Sequence, residues 1–190
     1  MTYIGNEQLS VGSHTINLTV NDFWRWAYSD LNDSICRSAL AKFIVATSLE
    51  IPDLSHGISR TLKRPYDLLS KDGYRIKVKS AAYNEAADQE HPDCISFGIS
   101  STELSGGIKE AGSASNWNSD IFVFCVYKAV TRDQTPLNLD LWDFYVLPTK
   151  VLNEKKTIQK TITFPTLIRL DPMWCDYYGI GDAIQKVMTA

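Results

Sequence analysis

The sequence predicts an α/β fold: a single domain over residues 1–190, with a mixed central β-sheet of about five strands flanked by helices. A helical period of apolar residues between 33 and 50 predicts a well-defined helix early in the chain. Later segments rich in β-branched and aromatic residues predict strands, and the wholly apolar run Ile121–Tyr127 is typical of a strand covered on both faces. The length of 190 residues, with 44% apolar and 22% charged residues, suits one hydrophobic core.

The first predicted helix follows a weakly patterned segment, residues 1–18, which we expect to be an extended lead-in. Thr19 followed by the acidic Asp22 is typical of a helix cap and first turn. Four aromatic residues then occupy the six positions 23–28. Because aromatic side chains bury a large area, this density predicts a helix buried against the rest of the domain.

The second predicted helix has the clearest pattern in the chain. It is expected to begin at Asn32-Asp33-Ser34 and to end near Glu50, because Pro52 disfavours helical backbone in the residue before it. The residues that keep its helical period are Ile35, Ala39, Leu40, Phe43, Ile44, Thr47 and Leu49. We therefore expect this helix to cover one face of the sheet.

Residues 66–80 predict two short strands joined by a turn. Lys71-Asp72-Gly73 forms the turn, because a glycine after an aspartate tolerates the positive φ of tight hairpins. In the second strand Ile76 and Val78 point to one face, since side chains alternate along a strand. The basic residues of the opposite face are Arg75, Lys77 and Lys79. Asp67, on the first strand, can face this basic row.

The remaining elements are predicted from short apolar segments bounded by polar ones. Further strands are expected at 95–100, 120–127, 141–147 and 161–164, and a short helix at 182–188. The segments between them are rich in glycine, serine or charged residues and are expected to be connections.

The charge distribution is uneven. The net charge of the chain is −3, yet residues 63–79 contain six basic residues and two acidic ones. A local basic patch on an acidic protein can still collect phosphates, because electrostatic fields are focused locally. The alternative is that these cations form a solvated strand face.

The spacing of the cysteines does not predict a metal site, and the N-terminal residues do not predict a signal peptide. Cys36, Cys94, Cys125 and Cys175 lack zinc-ligand spacing, and we expect reduced, mostly buried thiols. The N-terminal residues have neither the basic head nor the apolar stretch of a signal peptide. The longest apolar run is too short to span a bilayer. A cytoplasmic location and no membrane partner are expected.

The order of elements resembles a known nuclease core. A helix, a strand with an aspartate, a turn and a strand ending in x-x-Lys are similar to the PD-(D/E)xK superfamily, which contains many restriction and repair endonucleases. The wider layout, from Asp22-Phe23-Trp24-Arg25-Trp26-Ala27 to Val146-Leu147-Pro148-Thr149, resembles an uncharacterised bacterial group of this superfamily. The resemblance covers about residues 20–152 and leaves 153–190 as a C-terminal extension. It implies a restriction-endonuclease-like core, nucleic acid (DNA) as partner, and Mg²⁺ where the domain cleaves.

The resemblance assigns four catalytic positions. In the superfamily, an aspartate on the first strand and an acid two residues before the lysine bind Mg²⁺, and the lysine orients or activates the attacking water. Asp67 takes the place of the first acid, and Lys79 takes that of the lysine. Lys77 stands at the position of the second acid, and Lys42 stands where this group has a helical glutamate. Two expected acids are therefore replaced by cations.

The replacement of two expected acids by lysines should change the affinity of the site for Mg²⁺. Mg²⁺ prefers oxygen ligands, chiefly carboxylates, water and phosphate. A unit charge about 5 Å from a divalent ion interacts with it by several kcal/mol, so two exchanged charges should abolish ordinary Mg²⁺ affinity. Asp67 alone is a weak metal ligand, and only relocated acids, of which Glu50 and Glu85 are the nearest candidates, would restore a site. A single base change converts Glu to Lys, so the sequence leaves open whether the two lysines are natural or engineered.

Three hypotheses follow for the function. The first is a nuclease-fold domain that binds nucleic acid, with DNA expected, and has weak or lost cleavage; its expected contacts are Lys63, Arg64, Arg75, Lys77 and Lys79. The second is an active Mg²⁺-dependent endonuclease with relocated acids. The third is a protein-interaction module on the same fold, using the Trp24 and Trp26 helix or the Trp117 loop. A homodimer is compatible with each of them.

Overall fold

The computed structural model describes residues 3–51, 66–83, 95–99, 119–131, 133–154 and 160–189. Its centre is a five-stranded mixed sheet. The strands, in their order across the sheet, are β3 (Leu68–Leu69), β4 (Arg75–Ala82), β6 (Ile121–Tyr127), β7 (Trp142–Pro148) and β9 (Met173–Cys175). β4 and β6 run parallel, and the other neighbouring pairs are antiparallel. The predicted α/β class with a mixed sheet of about five strands is confirmed; a restriction-endonuclease-like core stays a prediction.

Helices and a small second sheet cover the two faces of the central sheet. The helices are α1 (Val20–Tyr28), α2 (Ser34–Ser48), α3 (Thr149–Glu154), α4 (Phe164–Ile168) and α5 (Ile180–Thr189). On one face α2 and α5 pack on Val78, Val123 and Phe144; on the other, β5 (Ser96–Gly98), β8 (Thr161–Thr163), α3 and α4 pack on Phe122 and Phe124. β6 is buried along its whole length, as its apolar sequence predicted.

α2 is set by a strong cap and packs against β4. The carboxylate of Asp33 accepts hydrogen bonds from the backbone N–H groups of Ile35 and Cys36 at 2.9 and 3.1 Å, which satisfies two of the free amides at the helix start. The predicted helix is confirmed, but its buried face is rotated. Ile35 and Phe43 are exposed, whereas Cys36, Arg37, Ala41, Ile44, Val45 and Ala46 are buried.

The N-terminal part of the chain differs most from expectation. The segment predicted to be an extended lead-in forms a hairpin of β1 (Gln8–Val11) and β2 (His14–Thr19). α1 begins after Thr19 with a capping box, as predicted, yet none of its residues is buried, and Trp26 is 83% exposed. The prediction of a buried docking helix is therefore wrong. The hairpin preceding α1 is itself exposed, and the ring of Phe23 packs on the rings of Trp26 and Tyr28.

Two of the predicted strands lie in a separate two-stranded sheet. The segments predicted at 95–100 and 161–164 contain β5 and β8, but these pair with each other outside the central sheet. The fifth strand of the central sheet is β9, which the sequence did not indicate. It has only three residues, too short for an alternating pattern to be recognised.

The remaining predictions concern the cysteines and the membrane. Cys36, Cys125 and Cys175 are buried, as expected, and Cys94 lies outside the described residues. Burial raises the pKa of Cys175 to about 12 and raises that of Cys125 further, so both thiols stay protonated near neutral pH. No helix within the described ranges has the length and apolar character needed to cross a membrane.

Candidate functional site

Asp67 is held at the edge of the central sheet by β4. Its backbone N–H donates to the carbonyl oxygen of Ile76 at 2.8 Å. Its side-chain Oδ2 accepts a hydrogen bond from the backbone N–H of Val78 at 3.0 Å. β3 is only two residues long, so the carboxylate of Asp67 replaces a strand partner for Val78. The hairpin fixes this geometry, with Gly73 in its turn at a φ of 86°.

Two lysines from different elements converge on this carboxylate. Lys42 Nζ, from α2, lies 2.9 Å from Asp67 Oδ1, and Lys77 Nζ, from β4, lies 3.6 Å from Asp67 Oδ2. The side chains of Lys42, Lys77 and Asp67 are 22%, 16% and 10% exposed. Charges at this depth interact more strongly than at an open surface, because less water screens them. The predicted facing of Asp67 toward the basic row is present in the structure.

Lys79 lies two residues after Lys77 on β4. With Lys42, Asp67 and Lys77, it lines a cavity. Across the described part of the chain, its Nζ atom has no hydrogen-bond or ion-pair partner. Burial lowers the pKa of Lys79, and the neighbouring charges of Lys77 and Lys42 lower it further, against the opposing effect of Asp67. Lys79 therefore differs from the other two lysines, since nothing among these residues neutralises it directly.

A cavity of about 210 Å³ lies between α2 and β4. Its described lining comprises Ser34, Arg37, Ser38, Lys42, Asp67, Lys77, Val78, Lys79, Ser80 and Gly98. The first four come from one face of α2, because residues three and four apart lie together on a helix. Four cationic side chains, three hydroxyls and one carboxylate thus surround it. Such a set of donors suits an anion with several oxygen atoms.

Arg37 is the charged residue of the described cavity lining that the sequence analysis missed, along with the hydroxyl residues Ser34, Ser38 and Ser80. It is 1% exposed, and its Nη1 donates to the carbonyl oxygen of Asn32 at 2.6 Å. Burial lowers the pKa of Arg37, and the charge of Asp33 opposes this effect. Its position on the helix was available as a signal, since Arg37 lies between Ser34 and Ser38 on the face that leads to Lys42.

Arg75, another predicted contact, lies outside the described lining of the cavity. Arg75 is engaged by Asp120: its backbone N–H donates to Oδ2 at 2.8 Å, its Nε donates to Oδ2 at 3.0 Å, and its Nη2 donates to Oδ1 at 2.6 Å. Lys63 and Arg64 lie outside the described residues. A role for these three residues in binding nucleic acid stays a prediction.

The metal implied by the resemblance does not fit the residues present. Asp67 is the single carboxylate of the described lining, and Lys42, Lys77 and the N–H of Val78 already engage its two oxygens. In the described ranges, no group of three or more His, Cys, Asp or Glu residues could hold a metal ion. Glu50, one proposed relocated acid, lies 2.9 Å from Lys71 at the surface, and Glu85 lies outside the described residues. We derive no metal-dependent step from this site.

No protein-family model matches the chain, and no curated protein sequence matches it. The PD-(D/E)xK resemblance rests on the residues given above. The interaction-module alternative also stays open: Trp26 is exposed, and Trp117 lies outside the described residues.

Proposed function

We propose that the chain is a nuclease-fold domain that binds nucleic acid, with DNA as its partner, through the cavity between α2 and β4. The observation that carries this proposal is the convergence of Lys42 and Lys77 on Asp67, with Lys79 beside them. In a metal-dependent nuclease of the type that the sequence resembles, a metal and a phosphate would meet at this place. Here the cations themselves would receive the phosphate.

The charges of the cavity support binding of a phosphodiester. Asp67 offsets part of the positive charge and holds Lys42 and Lys77 in position, so little side-chain entropy remains to be lost on binding. Lys79 and Arg37 add two further cations. The hydroxyls of Ser34, Ser38 and Ser80 provide donors for phosphate oxygens. A site of this kind binds through the backbone phosphates and carries little information about base sequence.

The same charges argue against ordinary hydrolysis by the superfamily's mechanism. A divalent ion is the group that would polarise the phosphate and generate the attacking hydroxide. With one engaged carboxylate and three lysines, the site would repel such an ion. We therefore propose binding with Mg²⁺-dependent cleavage weak or lost.

A salt series on a short DNA duplex tests this proposal. Affinity should fall as salt rises, because binding releases counterions from the phosphates. Lys42→Ala, Lys77→Ala and Lys79→Ala should each reduce the salt slope by about 1 and weaken binding. Lys186→Ala is the matched control, because Lys186 is exposed on α5 and lies outside the described lining of the cavity. Affinity that is independent of salt, or that survives the three cavity substitutions, would overturn the proposal.

A plasmid-nicking assay tests the alternative of an active endonuclease. Supercoiled plasmid is incubated with Mg²⁺ or Mn²⁺, and nicking is followed with time. Cleavage that depends on the metal and disappears in Asp67→Ala would replace the binding-only proposal with the relocated-acid one. Binding without nicking supports the proposal made here.

A further inference from the structure

Lys79 has an environment unlike that of the other two lysines in the cavity. Lys42 and Lys77 each contact Asp67, whereas Lys79 has no ion-pair or hydrogen-bond partner within the described ranges. Its side chain is partly buried and reaches a cavity large enough for a small molecule. A lysine placed in this way has its amine available, while its neighbours are held by a carboxylate.

The surroundings of Lys79 also favour the neutral amine. Burial is the main cause that lowers the pKa of Lys79, and the positive charges of Lys77 and Lys42 act in the same direction. A lysine that is desolvated and placed next to other cations is the usual form of an amine nucleophile that attacks carbonyl carbon. The replacement of acids by lysines therefore removes a metal site and creates the conditions for carbonyl chemistry.

An abasic site presents an aldehyde, which an amine can convert to an imine, whereas the carbonyl groups of intact bases are amide-like and do not react in this way. When a base is lost from DNA, the sugar opens to an aldehyde at C1′. The cavity, at about 210 Å³, is smaller than the roughly 300 Å³ at which pockets for drug-sized ligands begin, so it suits a sugar without its base. We propose that Lys79 forms a Schiff base with the aldehyde of an abasic site in DNA and cleaves the strand by β-elimination. This inference rests on the nucleic-acid binding proposed above.

The reaction balances without an oxidant, a reductant or a metal. The neutral amine of Lys79 attacks C1′, a C–N bond forms, and the carbonyl oxygen leaves as water to give the imine. Protonation of the imine acidifies C2′–H, and loss of this proton forms the C2′–C3′ double bond as the C3′–O bond breaks. The 3′ phosphate leaves with the bonding electrons. Water then hydrolyses the imine, which releases the unsaturated aldehyde and regenerates the amine.

The other residues of the cavity have roles in this scheme. Asp67 holds Lys42 and Lys77 in place, and solvent water accepts the proton from C2′, because both oxygens of Asp67 are already engaged. Lys42 and Lys77 lie at Asp67 and stabilise the negative charge of the departing phosphate. Lys79 is the catalytic residue, because its nitrogen bonds to the substrate.

Borohydride trapping tests the proposal directly. The protein is mixed with a duplex that carries one abasic site, in the presence of a chelator, and the imine is reduced to a stable covalent adduct. The wild type and Lys186→Ala should give the adduct and the cleaved strand. Lys79→Arg keeps the positive charge but lacks a nucleophilic amine, so adduct yield should fall at least about tenfold. Peptide mass analysis of the wild-type adduct should place the modification on Lys79, which tests the assignment even if the variant fails to fold.

A second duplex separates this inference from the proposed function. It carries a tetrahydrofuran analogue of the abasic site, which has no aldehyde and so can be bound but not trapped. Binding of this duplex without an adduct on the aldehyde duplex would overturn the Schiff-base proposal and leave DNA binding intact. Failure to bind either duplex would overturn both. An adduct that maps to another lysine, or persists undiminished in a folded Lys79→Arg, would refute the assignment to Lys79.

Discussion

Lys42 of α2 and Asp67 beside β3 form an ion pair of 2.9 Å that ties the helix to the edge of the central sheet. The pair joins two segments that are distant in sequence, and both side chains are mostly shielded from water. Lys77 reaches the other oxygen of the same carboxylate. One acid therefore holds two cations at the place where the resemblance implies a metal.

Replacement of Asp67 by Asn should destabilise the fold. The amide oxygen can still accept the hydrogen bond from Val78, but Lys42 and Lys77 lose their counter-charge while partly buried. The loss in free energy of unfolding should be about 2 kcal/mol, because an unpaired shielded charge is costly. Urea unfolding measures it. Added inorganic phosphate should stabilise the variant more than the wild type, since an anion can take the place of the carboxylate.

The control for this prediction is the exposed pair of Lys71 and Glu50. The two side chains are 53% and 83% exposed, so Glu50→Gln should change the free energy of unfolding by less than about 1 kcal/mol. An Asp67→Asn protein as stable as this control would show that the buried pair contributes little to the fold.

The pair of Arg75 and Asp120 should make stability depend on acid pH. The hydrogen bond from the Arg75 side chain is the largest cause that lowers the pKa of Asp120, and the backbone N–H of Arg75 adds to it. Because the pKa is lower in the folded state, the pair stabilises the fold above the ordinary aspartate pKa of about 3.9. This contribution is lost as pH falls through the lowered pKa.

Asp120→Asn isolates that contribution. The variant should be less stable than the wild type by about 1 kcal/mol near neutral pH, and the difference should shrink toward zero in strong acid. Urea unfolding of both proteins across the acid range measures the difference. A difference in the free energy of unfolding that stays constant with pH would mean that packing, and not the charge of Asp120, stabilises this end of β4.

Charge reversal at two positions should create the metal site that the native residues do not form. In the double variant Lys42→Glu with Lys77→Glu, three carboxylates would surround the cavity with Lys79 beside them. We expect Mg²⁺ or Mn²⁺ to bind and to raise the melting temperature, because binding to the folded state stabilises it. Calorimetric titration measures the binding, and plasmid nicking shows whether hydrolysis follows.

Two controls accompany the double variant. Lys150→Glu with Lys186→Glu makes the same change in net charge at two exposed positions outside the described cavity lining and should bind no metal specifically. Addition of Asp67→Asn to the first double variant should weaken metal binding strongly. A folded double variant with no metal affinity would argue against the assignment of these positions to a nuclease-type centre.

The two strands at Asp67 were predictable from the sequence because their signals are local. The Asp-Gly turn and the alternation along β4 place Asp67 opposite the basic face, and both features appear in the structure. The convergence of Lys42 followed only from the resemblance, since the sequence separation of 25 positions carries no distance by itself.

Features that depend on packing between distant segments were not predictable in this way. Arg37 is buried although arginine is mostly exposed in proteins, and only the position of α2 on the sheet accounts for its burial. The helix α1 shows the converse, since its aromatic residues predicted burial, yet none of the residues of this helix is buried. Aromatic content reports how much area a segment can bury, and it does not report whether another element lies against it.

Trp142 and Trp26 differ strongly in burial, so their substitutions should differ in their effect on stability. Trp142 is 1% exposed in the core, and its Nε1 donates to the carbonyl oxygen of Pro136 at 2.9 Å. Trp142→Ala should lower the free energy of unfolding by about 3–5 kcal/mol, because it leaves a large cavity and an unpaired carbonyl. Trp26 is 83% exposed, so Trp26→Ala should change stability by less than about 0.5 kcal/mol.

If α1 is a surface for self-association, sedimentation velocity should show a wild-type dimer that Trp26→Ala dissociates while its monomer unfolds normally. A wild-type protein that sediments as a plain monomer at all concentrations would remove the homodimer from consideration.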